Sequence, residues 1–228
     1  MAALIHRGAP HHLLVKWRGT ITVTAAPRAP DVPVRLIHPL WVRVSHWLNA
    51  LAAITMVLSG WRIYNASPIY EWFEFPAGIT LGGWLGGALQ WHFAAMWLLF
   101  INGTVYLTLA CITGRILRKF FPVTPGTLLR DVLAALHGKL SHSDLSVYNS
   151  VQRAAYLAAI IDLILLVLSG LAIWKSVQFP LLRTLLGGYD TARVVHFWAM
   201  AFLVLFFVVH VTMAALVPRS LLAMIRGR

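Results

Sequence analysis

One stretch limits the fold of this chain more than any other: Arg193-Val-Val-His196-Phe-Trp-Ala-Met-Ala-Phe-Leu-Val-Leu-Phe-Phe-Val-Val-His210. It is a long apolar run with a histidine near each end. The two histidines are fourteen residues apart. At 3.6 residues per turn, that spacing is close to four whole turns, so both rings leave one face of one helix. The rise between them is roughly 21 Å, most of the thickness of a bilayer core of about 30 Å. One histidine therefore lies towards each membrane surface.

Three further runs have the length of a membrane span, so the four together cover about 41–62, 88–112, 148–174 and 191–217. With 59% hydrophobic residues, 11% charged residues and a mean hydropathy of +0.74, the chain reads as a polytopic membrane protein. The expected fold is all-α: an integral membrane four-helix bundle. The net charge of +12 would suit nucleic acid, but its distribution argues against that partner. Fifteen of the 19 Lys and Arg residues lie before or at the start of the first run, around the loop between the second and third, or after the fourth. Only Arg62, Lys175, Arg183 and Arg193 lie on the other side. By the positive-inside rule both termini are expected in the cytoplasm of a bacterial inner membrane, with the basic faces against anionic lipid. The single cysteine, Cys111, excludes an internal disulfide and a Cys-x-x-Cys-His haem attachment; it reads as a small apolar residue at a helix end.

Residues 1–37 carry Pro10, Pro27, Pro30 and Pro33 with scattered charge. They contain no apolar region of the secretory type and are read as a cytoplasmic extension ahead of a membrane domain over 38–228. Within them, Leu13 to Thr24 alternates enough to form a strand on a partner, and His6, His11 and His12 are solvated rather than metal-binding. Between the runs, Tyr64 to Gln90 forms an aromatic periplasmic segment. Pro125 to His137 has the spacing of an amphipathic helix along the inner surface. Ser143 or Asp144 is expected to cap the third span.

The chain also repeats itself. Val57-Leu58-Ser59-Gly60 recurs as Val167-Leu168-Ser169-Gly170. Phe75-Pro76 with Gly82-Gly83-Trp84 recurs as Phe179-Pro180 with Gly187-Gly188-Tyr189. His92-Phe-Ala-Ala-Met96 recurs as His196-Phe-Trp-Ala-Met200. Two related helical hairpins follow. In this register His92 matches His196, whereas His46 matches Tyr156 and His210 matches Tyr106. Random histidine placement does not produce such a complementary pattern.

With the N-terminus inside, the first span runs outward, and the second and fourth run inward. His46 and His210 then share the cytoplasmic side, and His92 and His196 the periplasmic side. Four histidines sorted by depth into two pairs supply the axial ligands of two b-type haems in the bundle interior. Ionisable groups in a membrane are costly and usually functional. Arg43 and Arg193 each stand one turn before a histidine, placed either to pair with a haem propionate or to anchor at the interface. Gly60, Gly103 and Gly170 leave room for a porphyrin or for close helix packing. Asp162, in mid-membrane, is either hydrogen-bonded and protonated or part of a proton path.

Four segments carry a resemblance: His38-Pro-Leu-Trp-Val-Arg43-Val-Ser-His46-Trp-Leu-Asn49, Gly87-Ala-Leu-Gln-Trp-His92-Phe93, Tyr148-Asn149-Ser-Val-Gln152-Arg153 and Ala192-Arg193-Val-Val-His196-Phe197. Over about 36–228 the chain resembles the b-type cytochrome subunits of thiosulfate reductase, formate dehydrogenase and nickel–iron hydrogenase, within the bacterial cytochrome b561 superfamily. The resemblance implies a membrane subunit that links quinone to a periplasmic redox partner, often a molybdopterin oxidoreductase. It also implies that Asn149 and Gln152 lie beside the cytoplasmic haem and the quinone; the alternative is that they satisfy a helix start. Two other functions compete: a stand-alone dihaem superoxide oxidase coupled to quinone, and a haem-free transporter or scaffold.

Overall fold

The computed structural model describes residues 37–137 and 148–227. The expected strand at 13–24, the three early histidines, and the expected caps Ser143 and Asp144 lie outside those residues. Among the described residues the regular structure is entirely helical. The elements are α1 (Leu40–Ala66), α2 (Leu85–Ile112), α3 (Arg115–Phe120), α4 (Pro125–Leu136), α5 (Ser150–Trp174), α6 (Pro180–Leu185), α7 (Tyr189–Leu216) and α8 (Pro218–Arg226), with a short 3₁₀ turn at Ala77–Ile79.

The four apolar runs coincide with α1, α2, α5 and α7. Among the described helices, α2, α5 and α7, of 28, 25 and 28 residues, are long and apolar enough to cross a membrane. Helix α1 has 27 residues but carries Arg43, His46, Asn49 and Arg62. Side-chain size is distributed inside out. The buried apolar positions are mostly alanine, with Ala52, Ala88, Ala110, Ala172 and Ala192 almost wholly enclosed. Large residues such as Ile101, Ile161, Leu205 and Val208 are more than half exposed. Water would penalise that surface, whereas lipid does not, and small residues let membrane helices approach closely.

Two antiparallel pairs form the body. In the first, Asn102 of α2 donates to the carbonyl of Ser45 (2.9 Å) and to Oδ1 of Asn49 (2.7 Å) near the start of α1, while His92 reaches Ser59 further along. In the second, His196 of α7 meets Ser169 of α5, and His210 meets Tyr156. Ala53 and Val57 of α1, Leu166 of α5, and Ala199 and Leu203 of α7 share one buried cluster that joins the pairs.

Each end of the body is closed by local structure. At the His46 end, α8 turns back under α1: Arg43 Nη2 donates to the carbonyl of Ile225 (2.6 Å), and the Ile37 N–H donates to that of Gly227 (2.8 Å). Pro218 at the start of α8 suits the first helical turn, where its missing N–H costs nothing. Phe120 of α3 is buried against Tyr148 and Tyr156 at the start of α5. Helix α5 starts at Ser150 with Asn149 as its N-cap, not a residue at 143 or 144. Asn149 Oδ1 accepts from the Gln152 N–H (2.8 Å), and Gln152 Oε1 accepts from the Asn149 N–H (3.1 Å). Such a cap is worth about 1 kcal/mol.

At the His92 end, the loop after α1 folds onto the bundle. The Asn65 side chain pairs with both backbone groups of Phe75, at 2.7 and 3.0 Å. That contact stacks the Phe75 ring on Trp61, 4.7 Å between centres and 10° between planes. A cavity of about 470 Å³ opens beside them, lined by Tyr70, Trp72, Phe197, Trp198 and Met200 among others.

Candidate haem-binding site

The structure brings His46, His92, His196 and His210 together as two pairs. His46 of α1 and His210 of α7 have ring centres 6.1 Å apart and planes inclined at 52°. His92 of α2 and His196 of α7 have centres 6.5 Å apart and planes at 63°. Two imidazoles bound on opposite sides of one metal, each through a bond of about 2 Å, have ring centres roughly 6 Å apart. Both pairs fit that separation. Among the described residues no group of three or more His, Cys, Asp or Glu is placed to hold a bare metal ion. Two facing imidazoles suit an iron whose other positions are filled by a macrocycle.

The His92–His196 pair is held from behind. Ser59 Oγ lies 3.1 Å from His92 Nδ1, and the Met56 carbonyl lies 3.2 Å from the same nitrogen. Ser169 Oγ lies 2.9 Å from His196 Nδ1. Ser59 and Ser169 are completely buried. The next residue in each case is glycine: a Cβ at Gly60 would come within 3.5 Å of His92 Cε1, and one at Gly170 within 3.4 Å of His196 Cε1. The repeated Ser-Gly thus supports the ligand of each hairpin. Gly103, by contrast, has open space where a Cβ would go.

The His46–His210 pair has different surroundings. His46 Nδ1 is buried with no hydrogen-bond partner among the described residues. The His46 ring meets Trp47 edge-on at 5.0 Å. His210 stacks on Phe206 at 5.5 Å and 10°, with Tyr156 edge-on at 6.2 Å. Tyr156, which replaces the histidine in the second hairpin, therefore packs against the other ligand of this pair. Tyr106 lies on Trp41.

The remaining expected site residues are placed as follows. Arg43 is tied to the carbonyl of Ile225. Arg193 donates to the carbonyl and the hydroxyl of Ser67. Asn149 and Gln152 engage each other at the start of α5. Asn149 also lines a polar cavity of about 250 Å³, with Thr127, Asp131, Tyr148, Ser150 and Arg153. There the Ser150 N–H donates to Asp131 Oδ2 at 2.7 Å. Arg153 spans the cavity edge to the carbonyls of Tyr148 (3.0 Å) and Pro122 (3.2 Å).

The hydrogen bond from Ser150 holds the Asp131 carboxyl below the usual carboxylate range. Burial pushes the Tyr148 phenol up. His38, just before α1, is pushed down to about 4 by burial, with Arg115, Lys119, His46 and Arg43 adding to the effect. Asp162 is buried in α5, and its Oδ2 has no partner among the described residues.

Sequence reasoning missed Ser59 and Ser169 as functional residues. The signal was present in the Val-Leu-Ser-Gly repeat, which marked the hairpins but not what the serines touch.

Residues 37–227 match the family model described as prokaryotic cytochrome b561. The chain is also similar to the putative protein-methionine-sulfoxide reductase subunit YedZ1 of Azospira oryzae. The two are 63% identical over 191 residues, covering 84% of this chain and 96% of that protein. The chain belongs to the prokaryotic cytochrome b561 family, and the resemblance read from its motifs is confirmed. It is a membrane cytochrome of the b type, with haem b as the family's cofactor.

Proposed function

We propose that this family member holds two b haems, one between His46 and His210 and one between His92 and His196, and links membrane quinone to a periplasmic oxidoreductase. The observation that carries the proposal is the paired histidines, with ring centres 6.1 and 6.5 Å apart, near opposite ends of α7. A haem with both axial positions filled by histidine supplies one-electron transfer rather than oxygen binding. Helix α1 serves as the fourth span. Its polar residues support that role by facing the bundle: Asn49 meets Asn102, Ser59 meets His92, and His46 meets His210. Both termini lie in the cytoplasm, as the charge asymmetry requires.

The partner is a periplasmic protein-methionine-sulfoxide reductase of the molybdopterin type. The name of the Azospira oryzae relative supports the substrate, and the resemblance to molybdopterin-linked cytochrome subunits supports the cofactor class. Electrons then run outward. Quinol releases two electrons and two protons; a sulfoxide takes up two electrons and two protons and releases water as the thioether forms. Loops 64–90 and 176–190 form the docking face, with Trp72, Val177 and Leu181 strongly exposed there.

The cytoplasmic residues serve the quinone. The cavity beside Asn149, Tyr148 and Arg153 lies at the same end of the bundle as the His46–His210 pair, with Tyr156 between Tyr148 and His210. Amides and a guanidinium there can donate to a quinone carbonyl. Gln152 keeps its amide NH₂ available while its oxygen closes the cap. Arg43 and Arg193 retain guanidinium N–H groups beyond those bonded to backbone, and these suit haem carboxylates.

The test uses the full chain in lipid, with a quinol and the periplasmic reductase. Quinol reduces the haem bands, and methionine sulfoxide reoxidises them only when the reductase is present. Partner-independent reduction of the haem by superoxide, with no transfer to the reductase, would support the superoxide oxidase reading instead.

A further inference from the structure

We propose that Ser59 and Ser169 are positioning residues that fix the tautomer of His92 and His196 and make the haem between them the harder of the two to reduce. This rests on the haem assignment above and adds a role for two serines that it does not use.

The hydrogen-bond bookkeeping at each serine determines the direction of the contact. Ser59 Oγ lies 2.7 Å from the carbonyl of Thr55, one turn back on its own helix. Ser169 Oγ lies 2.7 Å from the carbonyl of Leu165. A carbonyl only accepts, so each hydroxyl proton points along its own helix. The lone pairs of Oγ then face the histidine, and the imidazole Nδ1 must be the donor. At His92 the Met56 carbonyl, 3.2 Å from Nδ1, requires the same assignment independently. Both rings therefore carry their proton on Nδ1 and leave Nε2 with a free lone pair on the far side of the ring. Gly60 and Gly170 lie beside the same rings: a Cβ at either would be in ordinary van der Waals contact with Cε1 of His92 or His196.

The other pair lacks this support. His46 Nδ1 is buried without a partner among the described residues, and His210 is packed between Phe206 and Tyr156. An Nδ1–H donated to oxygen increases electron density at Nε2 and makes the imidazole a more basic ligand. A more basic ligand favours the oxidised iron. Two supported imidazoles on one haem, against an unsupported one on the other, give two sites of unequal potential from one repeated bundle. The inequality follows from the repeat: both hairpins kept Ser-Gly opposite the shared ligand position, and neither has it opposite the complementary one.

The test is a redox titration of the full chain in detergent or lipid, followed optically and by the low-spin haem signals in electron paramagnetic resonance. Haem content is read first, on wild type and on His196→Ala. One haem per chain in wild type, unchanged in His196→Ala, would overturn the site assignment and this proposal with it. With two haems present, Ser59→Ala and Ser169→Ala should each raise the midpoint of the lower-potential haem and shift its resonance signal, leaving the other haem in place. The double variant should bring the two midpoints closer together. Ser59→Thr and Ser169→Thr keep the hydroxyl and should retain the wild-type midpoints. Alanine variants with two haems and unmoved midpoints would overturn the serine role while leaving the site assignment standing. Threonine variants that shift as far as the alanine variants would also overturn it, because packing would then be the cause.

Discussion

Asp131 of α4 caps a helix other than its own: its Oδ2 accepts the N–H of Ser150, the first residue of α5, at 2.7 Å. A carboxylate at a helix N-terminus satisfies an orphan donor and complements the helix dipole. The contact also fixes the amphipathic surface helix against the start of a membrane-crossing one. Because the bond holds the Asp131 pKa below its usual value, its stabilising contribution is fully present above the ordinary carboxylate pKa of about 4. It is lost as pH falls through the lowered value. Protection of the Ser150 amide against exchange, relative to an unstructured amide at the same pH, should therefore persist at neutral pH and fall only in acid. In Asp131→Ala, which removes the acceptor, protection should be lost at neutral pH as well. Equal protection in both proteins would show that the cap does not hold in solution.

Trp72 is 83% exposed, whereas its neighbour Phe73 packs on Tyr64 and Phe75. Exposed aromatics are the residues that anchor interfaces. Trp72→Ser should weaken binding of the periplasmic reductase about tenfold or more, the order of a lost anchor, with haem content unchanged. Phe73→Ser should additionally loosen the loop. Affinity measured on immobilised reductase checks both variants, and undiminished binding by Trp72→Ser would place the interface elsewhere.

The fold was legible where one helix carries its own signal. The four apolar runs, the amphipathic segment after Pro125 and the position of each histidine along its helix all follow from spacing within single helices. What crosses between helices was not legible. Nothing in the sequence local to Ser169 says that it faces His196, and nothing around Asp131 says that it meets Ser150. Asn149-x-x-Gln152 has the form of a capping box and was weighed both as a quinone site and as a helix start; the structure shows that the cap is made. Helix α8 was hidden because it is short and begins at a proline. The loop fold around Asn65 and Phe75 joins residues ten apart through backbone groups, which side-chain patterning does not report.

The cap also shapes the quinone test. Gln152→Leu removes both the amide and half of the capping box, whereas Gln152→Glu keeps an acceptor for the Asn149 N–H. Gln152→Leu should leave both haem spectra intact and slow their reduction by quinol at least tenfold, on the order of one lost hydrogen bond in a desolvated site. Gln152→Glu should preserve helix stability and still be slow. Stopped-flow reduction with excess quinol reads the rate. A wild-type rate in both variants would remove Gln152 from the site.

Orientation is open to direct measurement. A reporter active only in the periplasm, fused after Arg228, should be silent, and a cytoplasmic reporter at the same place should be active. The reverse result would exchange the sides of the two histidine pairs and move the quinone site to the periplasmic face.

The central claim is that four histidines hold two haems in one chain. The most direct measurement is the ratio of haem b to protein in the purified, intact chain, repeated after single substitutions. The account expects two haems per chain, and one after His92→Ala or His196→Ala, with the surviving haem the same in both. It also expects one haem after His46→Ala or His210→Ala, with the other haem surviving. A ratio of one in the intact chain, or a haem lost after His92→Ala but retained after His196→Ala, would contradict the pairing.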